Sequence, residues 1–176
     1  DITVLHNALG RVGVASIHSI MAKHITLEAD GLENWINMLF GKSVQLETTA
    51  NEYNKQGVVE GELIGGNLSV LYGLRGTPFD LDYTGKILFI EDLDEYLYHI
   101  DRMMMAFERA GVLDNIKGLV VGGMTGMHDN AVPFGMSAED IILEKVADKN
   151  IPVTFNFPAG HFEDNQALIL GRKFEI

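Results

Sequence analysis

The sequence contains no cysteine and has few basic residues. Without cysteine the chain forms no disulfide and offers no thiolate as a nucleophile or metal ligand. Its 13 lysines and arginines are outnumbered by 25 aspartates and glutamates, which gives a net charge of −12. Because a surface of this sign repels phosphate groups, we expect neither nucleic acid nor an anionic membrane as a partner.

The sequence also has no apolar run of the length that a bilayer span requires, and no signal-peptide pattern comes before the first helical pattern. The absence of cysteine fits a reducing compartment, so a cytoplasmic location is the expectation. Asp1 leads directly into an amphipathic helical pattern without a methionine. We therefore expect that an upstream segment of the protein is missing.

Hydrophobic residues make up 47% of the 176 residues, which is enough for one full core. Their spacing alternates between helical and strand-like periods along the chain, and this alternation predicts an α/β architecture. The predicted strands are 12–17, 58–64, 86–90, 119–121, 152–157 and 167–170. The predicted helices are 2–9, 32–40, 68–74, 93–107 and 137–149. The polar stretch 48–56 has the composition of a connection between domains.

Several helix ends are marked by individual residues. Ser137 is a predicted N-cap, and Asp92 or Asp94 is predicted to cap the helix that Gly111 closes. The segment 65–69 (GGNLS) resembles a loop that brings backbone close to a ligand, but it lacks the lysine of a phosphate loop. A tight turn with Asn67 as N-cap explains the same segment.

Two residues occupy positions where α/β folds present functional side chains. Glu91 follows the strand 86–90, and a carboxylate there can orient a histidine. His161 follows the turn 157–160 (FPAG), which could aim an imidazole accurately enough for general-base catalysis. Taken singly, each has a plainer interpretation, because Glu91 can simply favour a helix N-terminus and His161 can be a surface loop residue.

The remaining candidates are weaker. His128 lies in a glycine-rich loop beside an aspartate, but no further ligand stands at a recognisable spacing, so we predict no metal site. None of the serines lies in a Gly-x-Ser-x-Gly elbow. The chain therefore offers no good candidate for a nucleophile.

Taken together, five segments resemble the LD-carboxypeptidase family, which includes muramoyltetrapeptide carboxypeptidases and microcin immunity peptidases. Their order and approximate spacing extend over most of the chain. The segments are 65–69 (GGNLS), 76–78 (GTP), 85–92 (GKILFIED), 116–122 (IKGLVVG) and 157–161 (FPAGH). One departure is the sequence 18–20 (HSI), where the family often has a His-Gly-Pro turn, and we assign no role to it.

The resemblance implies a Ser-His-Glu triad that is split between two domains. Glu91 would be the triad carboxylate and His161 the general base, with the serine directly before Asp1. The backbone N–H of Asp1 would then belong to the oxyanion hole, while Asn67 and Arg75 would be substrate-binding candidates. Residues 1–50 would be the remnant of the nucleophile domain, 51–61 a linker and 62–176 the C-terminal domain.

The activity that the resemblance implies is serine-type release of the terminal D-alanine from murein tetrapeptide, without a metal or cofactor. The chain alone would lack the nucleophile and be inactive. A homodimer would be in keeping with the family. Two alternatives stay open, namely a peptidase that confers immunity to a peptidyl-nucleotide antibiotic and a non-catalytic module that binds murein peptides or a protein partner.

Overall fold

The computed structural model of the chain describes residues 2–21, 23, 25, 30–49, 51–161 and 165–176. The helices are α1 (Ile2–Arg11), α2 (Asp30–Leu39), α3 (Leu68–Gly73), α4 (Leu97–Arg109), α5 (Val112–Asn115) and α6 (Ala138–Val146). The strands are β1 (Ser16–His18), β2 (Glu60–Asn67), β3 (Ile87–Leu93), β4 (Gly118–Thr125), β5 (Val153–Thr154), β6 (Leu168–Leu170) and β7 (Lys173–Glu175). The predicted α/β class is thereby confirmed.

The central sheet has the order β5-β4-β3-β2-β7. Strands β2 to β5 run parallel, and β7 pairs antiparallel with β2 at one edge. Strands β1 and β6 form a separate antiparallel pair. Because the parallel strands run the same way, β2 and β3 bring their carboxyl ends to the same edge, where Asn67 pairs in register with Glu91.

The core explains why β3 reads as a continuous apolar run. Leu88 and Ile90 face a cluster that includes residues of α4 and α6, whereas Ile87 and Phe89 face a second cluster that includes β6. A parallel strand that is buried on both faces needs apolar side chains on both. Within the described parts of the chain, no helix is long and apolar enough to cross a membrane.

The observed boundaries correct several predictions. The strand β3 continues through Glu91 to Leu93, so α4 begins at Leu97 and Tyr96 is its N-cap, without a side-chain cap. The prediction that Asp92 or Asp94 caps this helix is wrong. At its far end Gly111 has a φ of 72°, the left-handed conformation expected after a helix C-terminus.

Other corrections concern shorter elements. Helix α1 runs past Gly10 to Arg11, so the first strand is limited to Ser16–His18. The pair Gly65 and Gly66 lies inside β2 and does not form a tight turn. Strand β7 is not among the predicted strands. The N-cap predictions at Asn67 and Ser137 are confirmed, and Ser137 forms a capping box with Asp140.

The predicted linker 51–61 lies against the strands of the main sheet. Lys55 exchanges backbone hydrogen bonds with Val153, and Asn54 Oδ1 accepts one from the backbone of Phe155. The Lys55 ammonium also donates to the carbonyl of Val146 at the end of α6, at 2.7 Å. The domain boundaries themselves stay predictions.

Candidate active site

Glu91 and His161, which are 70 residues apart in sequence, form a hydrogen bond of 2.7 Å between Glu91 Oε2 and His161 Nδ1. The Glu91 side chain is 2% exposed and that of His161 is 45% exposed. A buried carboxylate therefore holds one ring nitrogen of a solvent-accessible imidazole. With Nδ1 occupied, Nε2 is the ring nitrogen that can exchange a proton with a reacting group.

An irregularity of the neighbouring strand β4 lies opposite Glu91. Ile90 pairs with Val121 and Asp92 pairs with Met124, so β4 has one residue more than β3 opposite Glu91. Such a bulge bends a strand and redirects its side chains. Glu91 lies opposite this bulge, near the carboxyl end of the buried strand β3, and its side chain reaches His161.

Two glycines allow the loop that carries His161 to approach the sheet. A Cβ at Gly122 would lie 2.3 Å from the carbonyl oxygen of Ala159. Gly160 has a φ of +118°, and a Cβ there would lie 2.9 Å from Glu91 Cβ. The backbone N–H of Gly160 donates to Asn165 Oδ1 at 2.8 Å, which fixes the turn just before His161.

The electrostatics of the pair follow from its burial. Burial raises the pKa of Glu91, while the hydrogen bond to His161 and the charge of His161 act in the opposite direction. Burial also raises the pKa of the neighbouring Asp92. The arrangement can hold the His161 ring in one orientation and stabilise an imidazolium.

Asn67 lies beside this pair, as the register of β2 and β3 requires. Its Nδ2 donates to Asp92 Oδ1 at 2.8 Å, and its Oδ1 accepts from the backbone of Val70 at 3.1 Å. A side-chain interaction with Asn67 also lowers the pKa of Glu91. The structure thus brings three of the residues singled out from the sequence, Asn67, Glu91 and His161, to one place.

Arg75 does not join this group. Its guanidinium forms an ion pair of 2.9 Å with Asp80 and lies over the rings of Tyr83 and Phe107. These contacts hold Arg75 in the segment that follows α3, and its role toward a substrate carboxylate stays a prediction. Asp1, the predicted oxyanion-hole residue, lies outside the described residues.

Sequence reasoning missed residues that the fold brings to the site. His18 is buried, and its ring centroid is 5.2 Å from that of Phe89. Burial, followed by the charges of His6 and His161, lowers the pKa of His18 to about 4. Asp92 reads only as a helix cap in the sequence, although an aspartate at the end of the apolar run 87–90 is a signal of a buried polar role.

The other histidines that the structure describes do not assemble a second centre. His6 Nδ1 lies 2.7 Å from Ser16 Oγ, but His6 is buried and burial lowers its pKa. His128 Nε2 pairs with Asp94 at 2.5 Å in an exposed loop. Among the residues that the structure describes, no group of three or more His, Asp and Glu side chains is arranged to hold a metal ion.

Comparisons with known proteins give a family match for most of the chain. Residues 60–176 match the family model of the LD-carboxypeptidase C-terminal domain. A probable murein peptide carboxypeptidase of Bacillus subtilis is 34% identical over 189 residues, covering 98% of this chain and 56% of that protein. The microcin C7 self-immunity protein of Escherichia coli is 31% identical over 123 residues, covering 68% of this chain and 35% of that protein.

A solved structure extends the likeness to three dimensions. The muramoyltetrapeptide carboxypeptidase of Oxalobacter formigenes superimposes with a TM-score of 0.83 at 27% identity, covering 99% of this chain and 62% of that one. The chain thus spans somewhat more than half the length of such relatives. The matched domain, the fold and these relatives together place the chain in the LD-carboxypeptidase family.

Proposed function

We propose that this chain is the base-bearing part of a serine-type LD-carboxypeptidase that releases the terminal D-alanine from murein tetrapeptide during cell-wall recycling in the cytoplasm. The observation that carries the proposal is the 2.7 Å hydrogen bond between Glu91 and His161. The sequence 157–161 (FPAGH) that places His161 lies within the matched family domain. The names of the Bacillus and Oxalobacter relatives supply the substrate class.

In the proposed mechanism, His161 Nε2 takes the proton of a serine hydroxyl as the oxygen attacks the carbonyl between the L-centre and the D-residue. Glu91 stabilises the resulting imidazolium through Nδ1–H. His161 then gives the proton to the departing amine, which releases D-alanine and leaves an acyl-enzyme. Water, deprotonated by the same imidazole, hydrolyses the ester and regenerates the serine.

We place the nucleophile directly before Asp1, and the position of α1 supports this. Helix α1 begins at Ile2, and Thr3 Oγ1 accepts a hydrogen bond of 3.1 Å from the backbone of Asn67, the register partner of Glu91. The first turn of α1 is therefore close to the Glu91–His161 pair. A helix N-terminus favours negative charge, so the backbone N–H of Asp1 suits an oxyanion hole.

The outer surface of α1 supports the proposal that an upstream domain precedes it. Ile2 and Leu5 are 57% and 58% exposed, whereas the polar residues Thr3, His6 and Asn7 are buried. A helix normally buries its apolar stripe. This chain covers 56% of the Bacillus relative, so the relative has further chain length that can supply a segment to cover this stripe.

The second candidate is a peptidase of the microcin-immunity type, which the 31% identity to the self-immunity protein favours. Specificity between a murein peptide and a peptidyl nucleotide depends on the loops around the pocket. The two functions are separated by supplying both substrates to the same preparation. Cleavage of the peptidyl nucleotide alone would replace the murein proposal.

The test is D-alanine release from murein tetrapeptide by the intact gene product. We expect His161→Ala and Glu91→Gln to lower kcat by about 10⁴-fold, as for other members of hydrolytic triads. His128→Ala is the matched control, because His128 is also a half-exposed histidine paired with a carboxylate. Release that persists in His161→Ala would remove His161 from the mechanism. Release by none of the proteins would leave the immunity peptidase and the binding module as the functions to test.

A further inference from the structure

The mechanism leaves one buried carboxylate beside Glu91 without a task. Asp92 is 1% exposed, and burial raises its pKa, so its charge is held at a cost. Its two oxygens accept three hydrogen bonds, from Asn67 Nδ2 at 2.8 Å and from the backbone N–H groups of Ser69 and Leu93 at 2.9 Å each. Asp92 therefore joins β3 to the end of β2 and the start of α3.

The amide of Asn67 continues this connection. Its Oδ1 accepts from Ser69 Oγ at 2.8 Å and from the backbone of Val70 at 3.1 Å. Because Nδ2 donates to Asp92, only one orientation of the Asn67 amide satisfies both its nitrogen and its oxygen. The backbone N–H of Asn67, in turn, donates to Thr3 Oγ1 at 3.1 Å.

Gly66, the residue before Asn67, lies in close contact with α1. A Cβ at Gly66 would lie 2.8 Å from Thr3 Oγ1, so the backbone of β2 touches the first turn of α1. Thr3 itself is 1% exposed. A continuous series of hydrogen bonds thus runs from Asp92 through Asn67 to Thr3, on the strand pair that carries Glu91.

We propose that Asp92 is a positioning residue, which fixes Asn67 and, through Asn67, the first turn of α1 relative to the Glu91–His161 pair. The inference rests on the proposed function, in which the nucleophile lies directly before α1. A base and a nucleophile that come from distant parts of the sequence need such a connection. A misplacement of about 1 Å between reacting groups can cost about 100-fold in rate.

The task requires a carboxylate. Oδ1 of Asp92 receives two donors and Oδ2 receives one. An asparagine at this position would have to turn its NH2 group toward at least one of these donors, whichever way the amide is oriented. Asp92→Asn is therefore nearly isosteric with the native residue, yet it breaks the series of hydrogen bonds at a defined point.

The experiment measures kcat and KM of the intact gene product on murein tetrapeptide. We expect Asp92→Asn to lower kcat by about 10- to 100-fold, with a smaller change in KM. Thr3→Val, which keeps the shape but loses the acceptor, should lower kcat similarly, and Thr3→Ser should restore it. Because both changes act through Asn67, the double variant should lose less than the product of the two single losses.

The control is Asp140→Asn. Asp140 Oδ2 also accepts a backbone hydrogen bond, from Ser137 at 2.9 Å, but in the capping box of α6. We expect this variant to keep the wild-type kcat at a temperature where circular dichroism shows all variants folded. A wild-type kcat in Asp92→Asn would overturn the inference. So would an equal loss in Asp140→Asn, or strictly multiplicative losses in the double variant.

Failure of the proposed function is distinguishable from failure of this inference. A wild-type protein that releases no D-alanine and cleaves no peptidyl nucleotide would contradict the function. Amide hydrogen exchange of the present chain then tests whether Asp92 fixes Asn67 and the first turn of α1. Asp92→Asn should speed exchange at Ser69 and at Asn67, whose N–H is bound to Thr3, by at least about 10-fold. Unchanged exchange at Asn67 would overturn the inference.

Discussion

At the scale of single residues, Gly160 shows how the site depends on the absence of a side chain. Its φ of +118° is a conformation that L side chains rarely adopt, and a Cβ would also lie 3.0 Å from Glu91 Oε2. An alanine at this position must therefore move the carboxylate, the turn or both. The position of His161 is consequently determined by the residue before it as much as by its own contacts.

We predict that Gly160→Ala lowers the free energy of unfolding by roughly 3 kcal/mol and nearly abolishes D-alanine release by the intact gene product. Urea denaturation and the release assay measure the two effects. Gly135→Ala is the control, because Gly135 has a φ of +88° but a Cβ there would meet no atom within 4 Å. It should cost about 1 kcal/mol. Equal costs would show that the contact with Glu91 is unimportant.

His18 gives the fold a pH dependence with a definite sign. Burial lowers the pKa of His18 from 6.5 in the unfolded chain to about 4 in the folded one. Between these values the unfolded chain binds more protons, so stability falls as the pH falls from about 6.5 toward 4. The raised pKa values of Glu91 and Asp92 act in the opposite direction, which makes comparison with a variant necessary.

From pH 7 to pH 5 we predict that the native protein loses about 2 kcal/mol more stability than His18→Gln. Urea denaturation at the two pH values gives the difference. His99→Gln serves as control, because His99 is 40% exposed and pairs with Glu95 on the surface. This variant should keep the acid sensitivity that the buried His18 confers. The same loss in native protein and His18→Gln would assign the acid sensitivity to other groups.

At the scale of elements, local sequence predicts long helices and buried strands better than their ends. The apolar stripe of α4 indicates its existence, and Gly111 indicates its C-terminal limit. Its predicted start is too early, because Asp92 resembles a cap in sequence and the pairing of β3 with β4 decides otherwise. Strand β7 has three residues and is formed by pairing with β2, which is distant in sequence. No local pattern in the sequence reveals this pairing.

Helix α1 allows the proposed upstream domain to be tested. We predict that Leu5→Gln changes the stability of the present chain by less than about 0.5 kcal/mol, because Leu5 is exposed here. In the intact gene product the same change should cost about 2 kcal/mol, because the apolar stripe is proposed to be covered. Thermal or urea denaturation of both proteins gives the comparison. A small loss of stability in both proteins would contradict the proposal that an upstream domain covers the apolar stripe of α1.

At the scale of the whole molecule, the sequence predicts the two residues of the pair but not their setting. Glu91 and His161 are identifiable because each lies in a short ordered motif of a known family. The roles of Thr3, Asp92 and His18 depend on contacts between residues far apart in sequence, such as Asn67 with Thr3. The surroundings of Arg75 also lie beyond the sequence, because a free cation and one paired with Asp80 look alike in sequence.

The Glu91–His161 hydrogen bond has a practical consequence for protein engineering. Both partners lie in one continuous piece of chain, which also carries the sheet that orients them. The pair can therefore be engineered and its geometry tested in the present chain, apart from the proposed nucleophile segment.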